Sequence, residues 1–328
     1  MTGESASYGE YTKQGLDLAL RDLGEAKIEL VYKDTKADPA EAIRVFKELQ
    51  RGGVVAVIGP FTSTEVRQVG PEAQRLKMPL ITSSATADQL SAIGDYVFMV
   101  LPPNSKQGED QAEFSRTSLK ATKAAILYRQ NPYGETLRAS FKQRFEVNKG
   151  EILADVGFPD GEENFRDRLR QILETSPEVV FIPCHDGDTG RILRQARELN
   201  FPTSIRFLGC DGSMSQTMLE LAGEAAEGAI FSNVASVSIE FDDKYRKQYG
   251  GEPNPYAAAA YDTLLVLGQV SRDGAVTSND FQKGLASLKG FEGATGQTQF
   301  TKMEESYWAL SKPYRQFKVE SGRFVLIK

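Results

Sequence analysis

The chain has 328 residues, 40% of them hydrophobic and 26% charged, with a net charge of -6. That is the composition of a folded globular protein long enough for two domains. The acidic balance excludes a nucleic-acid surface, which needs clustered Lys and Arg. The single histidine, His185, and the two cysteines, Cys184 and Cys210, exclude a histidine-rich metal centre.

Taken in order, the chain alternates between strand and helix signals. "KIELVYKD" reads as a strand. Asp38-Pro39 then gives a helix cap and a first-turn proline, ahead of an apolar stripe at Ala42, Val45, Phe46 and Leu49. "VVAVIG" is a short buried strand, Val66, Val69, Ala73 and Leu76 stripe a helix, and "PLIT" is the next strand. The same alternation continues through "AAILY", the Leu137–Phe141–Phe145 stripe, "EILADVGF", the Phe165–Leu169–Leu173 stripe and "VVFIPC". Ile192, Leu193, Ala196 and Leu199 then mark a helix, "IRFLGC" a strand, Met218, Leu219 and Leu221 a helix, and "GAIFSNV" a strand. Beyond Val234 the pattern turns mainly helical, over 239–249, 256–272 and 278–288, and the chain ends in a hairpin, "YRQFKV-ESG-RFVLIK". Continuous apolar strands alternating with helices predict an α/β fold, with parallel sheets covered on both faces. Two successive series predict two doubly wound lobes.

Open parallel sheets bind ligands beyond the carboxyl ends of their strands. In the first series those ends carry hydroxyls: "GPFTST" with Phe61, Thr62 and Ser63, and "TSSAT" with Ser84, Ala85 and Thr86. A single Ser or Thr there is most simply a helix cap, and Thr86 with Gln89 fits a capping box. Two clusters on neighbouring strands are better explained by a bound carboxylate, held by hydroxyls and free helix N–H groups. In the second series the strand ends are acidic, "PCHDGD" and "GCDGS". Asp188 reads as a cap for the next helix, whereas Asp211, just before Gly212, sits where a ligand reaches. An anion-binding edge on one lobe and an acidic edge on the other suit a zwitterion, and an α-amino acid is the simplest one.

Against this reading stand two others. An enzyme of dinucleotides needs G-x-G-x-x-G after a strand, which is absent. A metal held by His185, Asp186 and Asp211 is chemically possible, but capping and ligand contact account for the aspartates without one. No metal, cofactor or catalytic residue is therefore expected. Cys184 and Cys210 each follow an apolar strand and are expected to lie close together, with pairing left open.

The sequence resembles the periplasmic binding proteins of type I that serve branched-chain amino acid ABC transporters, the leucine/isoleucine/valine-binding family. The resemblance runs along essentially the whole chain, through "MTGESASYGEYTKQGLDLA", "VAVIGPFTSTEV", "PLITSSAT", "AAILYRQNPYGETL", "FIPCHDGDTGRILRQARELNF", "FLGCDG", "AAEGAIF" and "PNPYAAAAYD". It implies two lobes joined by three crossings, with the ligand cleft between them. The lobes are expected over 1–105 with 236–312, and 106–235 with 313–328. By position, the resemblance implies that Ser63 and Thr86 hold the ligand carboxylate with help from the backbone at Ser84, and that Asp211 takes the ammonium. Tyr8 and Tyr133 match cleft-lining aromatics. Asp186 falls where some members carry a tyrosine, which puts a purely aliphatic specificity in doubt, and Thr62 replaces one cysteine of a bridge that some members have. Tyr256 and Tyr261, in an alanine-rich stretch, read as helix core.

The implied function is capture of a small amino acid, aliphatic or otherwise hydrophobic, for delivery to the membrane permease of an ABC transporter. The implied protein is an exported monomer, periplasmic or extracellular and open to lipid anchoring, with no nucleic-acid partner. The alternatives are a ligand-sensing domain of a receptor or regulator on the same fold, and a binder of some other carboxylate. One feature departs from the family: the apolar strand that precedes the "TG-x-x-A-x-YG" loop has no counterpart in this sequence. In the doubly wound order that strand is central, so at least one further strand and an export signal are expected upstream.

Overall fold

The structure, a computed structural model, describes residues 2–3, 6–24, 28–234, 236 and 238–327. It divides into two compact units. Unit 1 comprises Met1–Pro103 and Val234–Pro313, and unit 2 comprises Asn104–Asn233 and Tyr314–Lys328.

Unit 1 opens with α1 (Ala6–Leu23), α2 (Pro39–Arg51), β1 (Val57–Ile58), α3 (Ser63–Leu76), β2 (Leu80–Thr82) and β3 (Val97–Met99). Unit 2 follows with α4 (Asn104–Thr117), β4 (Lys123–Arg129), α5 (Pro132–Val147), β5 (Glu151–Phe158) and α6 (Arg166–Glu174). It continues with β6 (Val179–Phe181), α7 (Asp186–Glu198), β7 (Arg206–Gly209), α8 (Gln216–Ala222) and β8 (Ile230–Val234). The chain returns to unit 1 for α9 (Ile239–Tyr249), α10 (Pro255–Arg272), α11 (Ser278–Ala286), β9 (Phe291–Gly293), β10 (Gly296–Thr298), β11 (Phe300–Met303) and β12 (Ser306–Ala309). It ends in unit 2 with β13 (Tyr314–Glu320) and β14 (Arg323–Leu326).

The unit 1 sheet runs β1-β2-β3-β12-β11, parallel except for β11. The unit 2 sheet runs β14-β13-β8-β7-β6-β4-β5, parallel from β8 to β5. Successive strand residues go to opposite faces, and both faces are apolar. In unit 2, Ala125, Leu127, Val180 and Ile182 enter one core while Ala124, Ile126, Val179 and Phe181 enter the other. In unit 1, Leu80, Val97 and Met99 face one core and Ile81, Phe98 and Val100 the opposite one. Each sheet is thus sandwiched by helices, as the continuous apolar strands of the sequence require.

Helix starts follow their caps. Asp38 accepts from the Glu41 N–H at 2.7 Å with Pro39 in the first turn of α2, and Asn254 accepts from the Tyr256 N–H at 2.8 Å ahead of α10. Tyr256 and Tyr261 are both buried in α10, whose run of alanines packs against α1.

Three expectations need correction. "KIELVYKD" does not form a strand: Ile28–Asp34 carries no regular structure, and Lys27 lies outside the described residues. "VVAVIG" pairs only over Val57 and Ile58. Among the described residues no strand pairs with Ile28–Asp34, and Val57–Ile58 pairs with β2 alone. The three helices expected after Val234 are present as α9, α10 and α11, but 291–309 adds β9 to β12, short strands with little periodic signal that the expectation omitted.

The cysteines are two buried free thiols. Their strands, β6 and β7, are neighbours, with Phe181 opposite Leu208. Continued along both chains, that register puts Cys184 level with Asp211 rather than with Cys210. A one-residue offset turns side chains to opposite faces. Cys184 accordingly belongs to one core and Cys210 to the other, which rules out a bridge. Burial pushes both thiols well above their ordinary range, so they stay protonated.

Candidate functional site

Each unit places a polar cluster at the carboxyl ends of its parallel strands. In unit 1 the strands are the neighbours β1 and β2. Thr62 caps α3 through a reciprocal box: its hydroxyl accepts from the Glu65 N–H at 3.2 Å, and the Glu65 carboxylate accepts from the Thr62 N–H at 3.3 Å. That frees Ser63, the first residue of α3, for other work. Its Oγ accepts from the N–H groups of Thr86 at 3.3 Å and Ala87 at 3.2 Å, which leaves the hydroxyl proton to donate. Ser63 also stands at a helix amino terminus, where the dipole favours negative charge.

The loop after β2 is folded by Thr82. Its Oγ1 accepts from Ala85 N–H at 3.0 Å and Ser84 N–H at 3.4 Å. The Ser84 hydroxyl reaches back to the Phe61 carbonyl at 2.8 Å and ties the two strand ends together. Thr86 is fully buried, and its Oγ1 has no hydrogen-bond partner among the described residues. The expected capping role for Thr86 is therefore corrected: the turn at Asp88–Ala92 has Ala87 in the cap position, with no side-chain cap bond. A buried hydroxyl without a partner costs about 1–3 kcal/mol, so it points to a missing acceptor or donor. Tyr8 is buried in α1 and meets Tyr256 edge-on, with ring centroids 5.2 Å apart.

In unit 2 the cluster sits beyond β4, β6 and β7, which are adjacent and parallel. Asn131 caps α5 by accepting from Gly134 N–H at 2.9 Å, and with Pro132 this fixes Tyr133 in the first turn. The Tyr133 hydroxyl donates to Asp211 Oδ1 and accepts from the Gly212 N–H at 2.9 Å. A Cβ at Gly212 would lie 2.7 Å from that hydroxyl oxygen, so only glycine permits this approach. The Tyr133 ring also stacks on His185, with centroids 4.9 Å apart at 15°. Asp211 is fully buried.

Asp186 opens α7, and its oxygens accept from Gly187 N–H at 2.9 Å and Ser215 Oγ at 2.7 Å. It joins two loops of the same unit and so does structural work that its sequence position did not reveal. Asp188 is also corrected: the cap position of α7 is His185, and Asp188 pairs with the buried Arg129 at 3.1 Å. Arg129 extends its other side to Asp160 at 2.5 Å. Sequence reasoning missed Arg129 and Thr82 as supports. A cation directly after an apolar strand, in "AAILYR", was the available signal for the first.

The structure thus brings Phe61, Thr62, Ser63, Ser84, Ala85 and Thr86 together on unit 1, and Tyr133, Asp186 and Asp211 together on unit 2. One cluster offers hydroxyl donors and a helix amino terminus. The other offers a buried carboxylate held by a phenol.

Comparison with known proteins identifies the family. The family model described as periplasmic binding protein matches residues 1–323. The Leu/Ile/Val-binding protein of Citrobacter freundii is 27% identical over 237 residues, which cover 70% of this chain and 64% of that protein. The protein of the same description from Escherichia coli K12 is 26% identical over the same coverage, so the match spans less than two thirds of these curated relatives' length. Among solved structures, the leucine binding protein LivK of Thermotoga maritima superposes with a TM-score of 0.93 at 25% identity, covering 100% of this chain and 95% of that one. The substrate binding protein LivJ of Streptococcus pneumoniae, in complex with isoleucine, gives 0.90 at 29% identity and covers 99% and 96%. A match to residues 1–323, two α/β units assembled from interleaved segments, and polar strand ends in both of them lead to one conclusion: the chain belongs to the periplasmic binding protein family.

Proposed function

We propose that this chain is a solute-binding protein that captures a small hydrophobic amino acid and passes it to the membrane permease of an ABC transporter. It acts outside the cytoplasm, as a monomer, and performs no chemistry on its ligand. Unit 1 takes the carboxylate through Ser63, Thr86 and the backbone at Ser84 and Ala85, and unit 2 takes the ammonium through Asp211. Tyr8, Phe61 and Tyr133 supply the apolar and aromatic surface for the side chain.

The observation that carries this reading is the pairing of opposite chemistries. Thr86 keeps a buried hydroxyl with no partner, and Ser63 keeps a proton to donate. Asp211 holds a fully buried carboxylate on the other unit. The relatives described as Leu/Ile/Val-binding proteins and the isoleucine complex of LivJ support an aliphatic amino acid. Asp186, engaged by Gly187 and Ser215, is a brace rather than a reason for a polar ligand.

Isothermal titration with leucine, isoleucine and valine tests the assignment, alongside the corresponding amines that lack the carboxylate. The amino acids bind and the amines do not. Asp211→Ala weakens amino-acid binding by about 2–5 kcal/mol, the scale for stripping one partner from a buried charge pair. Unchanged affinity in that variant refutes the role of Asp211.

A further inference from the structure

The chain holds one histidine, and it stands inside the unit 2 cluster. His185 is partly buried at the cap position of α7, where its side chain makes no cap bond. Its ring stacks instead on Tyr133, with centroids 4.9 Å apart at 15°. It also borders Gly212, where an added Cβ would lie 3.1 Å from the imidazole Nδ1. The Tyr133 hydroxyl donates to Asp211 and accepts from the Gly212 N–H at 2.9 Å. The imidazole thus touches both the phenol that holds Asp211 and the residue that follows Asp211 in the chain.

The charged and titratable groups around this ring come from several elements. Within α7, Asp186 accepts from the Gly187 N–H and the Ser215 hydroxyl, and Asp188 pairs at 3.1 Å with Arg129 from the end of β4. Arg129 is shared with Asp160, and Arg191 of α7 pairs with Glu163 at 3.1 Å. Cys184 and Cys210, beyond β6 and β7, are thiols that burial keeps protonated. From α5 comes the Tyr133 phenol, and from the turn after β7 the fully buried carboxylate of Asp211. Two influences then act on a proton at this imidazole. A helix amino terminus disfavours positive charge, whereas a buried carboxylate nearby favours it.

We propose that His185 is a positioning residue for the ammonium site, and that its proton competes with the ligand's ammonium for the charge of Asp211. The proposal rests on the assignment of the ammonium to Asp211 made above. In its neutral form the ring steadies the Tyr133 phenol against Asp211 and leaves the carboxylate's charge to the ligand. In its protonated form it sets a second cation beside the same carboxylate, and binding weakens. Affinity is therefore full at high pH and falls as the pH drops through the titration of His185. Imidazoles ordinarily titrate at about pH 6.5, so the change belongs between about pH 5 and 8. The coupling is reciprocal: a ligand that lowers the pKa of the imidazole by about one loses about tenfold in affinity on its full protonation. An imidazole that only fills space would leave affinity independent of pH.

The test uses the 328-residue chain without a histidine tag, so that its one imidazole gives a single NMR titration. In the free protein, Asp211→Asn is expected to lower the pKa of His185 by about 0.5 or more, because the variant lacks the carboxylate's charge. Saturating leucine is expected to lower it in the parent protein as well. Isothermal titration with leucine should then show affinity falling at least about fivefold from about pH 8 to about pH 5.5, the lower end for coupled sites. His185→Phe keeps a ring to stack on Tyr133 but carries no proton, so its affinity, whatever its level, stays flat over that range. A His185 titration that neither Asp211→Asn nor leucine moves overturns the proposal. So does an affinity that is flat in the parent, or that falls as steeply in His185→Phe. Leucine binding at no pH would refute the proposed function itself, and the free-protein titration would still decide whether His185 and Asp211 are coupled.

Discussion

Lys312 is buried with no exposed side-chain surface, and its ammonium lies 2.5 Å from Thr295 Oγ1 and 3.7 Å from Asp262 Oδ2. Burial outweighs the attraction of Asp262 and pushes the lysine from its ordinary value of 10.5 down to about 8. In the unfolded chain it titrates near its ordinary value. Between about pH 8 and 10.5 the unfolded chain therefore holds a proton that the folded one has released. Stability from this group then rises with pH by about 1.4 kcal/mol per unit and levels off after a total of about 3 kcal/mol. Below pH 8 both states are protonated and the contribution is flat, at its least favourable. Lys312→Met removes the titration and leaves Asp262 with the N–H groups of Ala294 at 2.6 Å and Thr295 at 2.9 Å. Urea unfolding of both proteins at pH 7, 8, 9 and 10 isolates the effect, because other alkaline titrations cancel in the difference. The parent protein should gain on the variant steadily above pH 8. A difference that stays flat, or that falls as pH rises, refutes the reasoning.

Thr86→Val keeps shape and removes the partnerless hydroxyl, so the free protein should gain about 1 kcal/mol in urea while amino-acid affinity drops; loss of stability would show that the hydroxyl is used in the free chain. At Gly15 a Cβ would lie 2.0 Å from the Ala257 carbonyl oxygen, so Gly15→Ala should force α1 from α10 and cost about 1–3 kcal/mol by urea unfolding. Thiol counting in denaturant should find two free thiols with or without prior reduction, since Cys184 and Cys210 face opposite cores.

The parts of the fold that depend on local signals were legible. Caps such as Asp38, apolar stripes such as Leu137–Phe141–Phe145, and fully buried strands such as 179–181 carry their own information. What failed depends on partners distant in sequence. "KIELVYKD" alternates correctly, but a strand exists only when a neighbour pairs with it. The short strands β9 to β12 take their form from antiparallel pairing and from β3, not from composition. In the site, the hydroxyl and acid clusters stood out because they follow apolar runs. Which oxygen is spoken for did not: Thr62 and Asp186 turned out to be engaged locally, and Thr86 was left over. Those differences lie in loop geometry, which Thr82 and Ser215 set through bonds that no spacing encodes.

The interleaving of the units has a consequence for the order of events during synthesis. The sheet of unit 1 needs β12, which pairs with β3 across more than 200 residues, and the sheet of unit 2 needs β13 at the far end of the chain. Helix α1 likewise finds its main partner only in α10. A ribosome that has made two thirds of the protein has therefore made neither unit in closable form. Contacts of such long span are slow to form, and here they wait for β12 and β13. Until those strands emerge the nascent chain stays open, which is the state in which a polypeptide can still be threaded through a narrow channel.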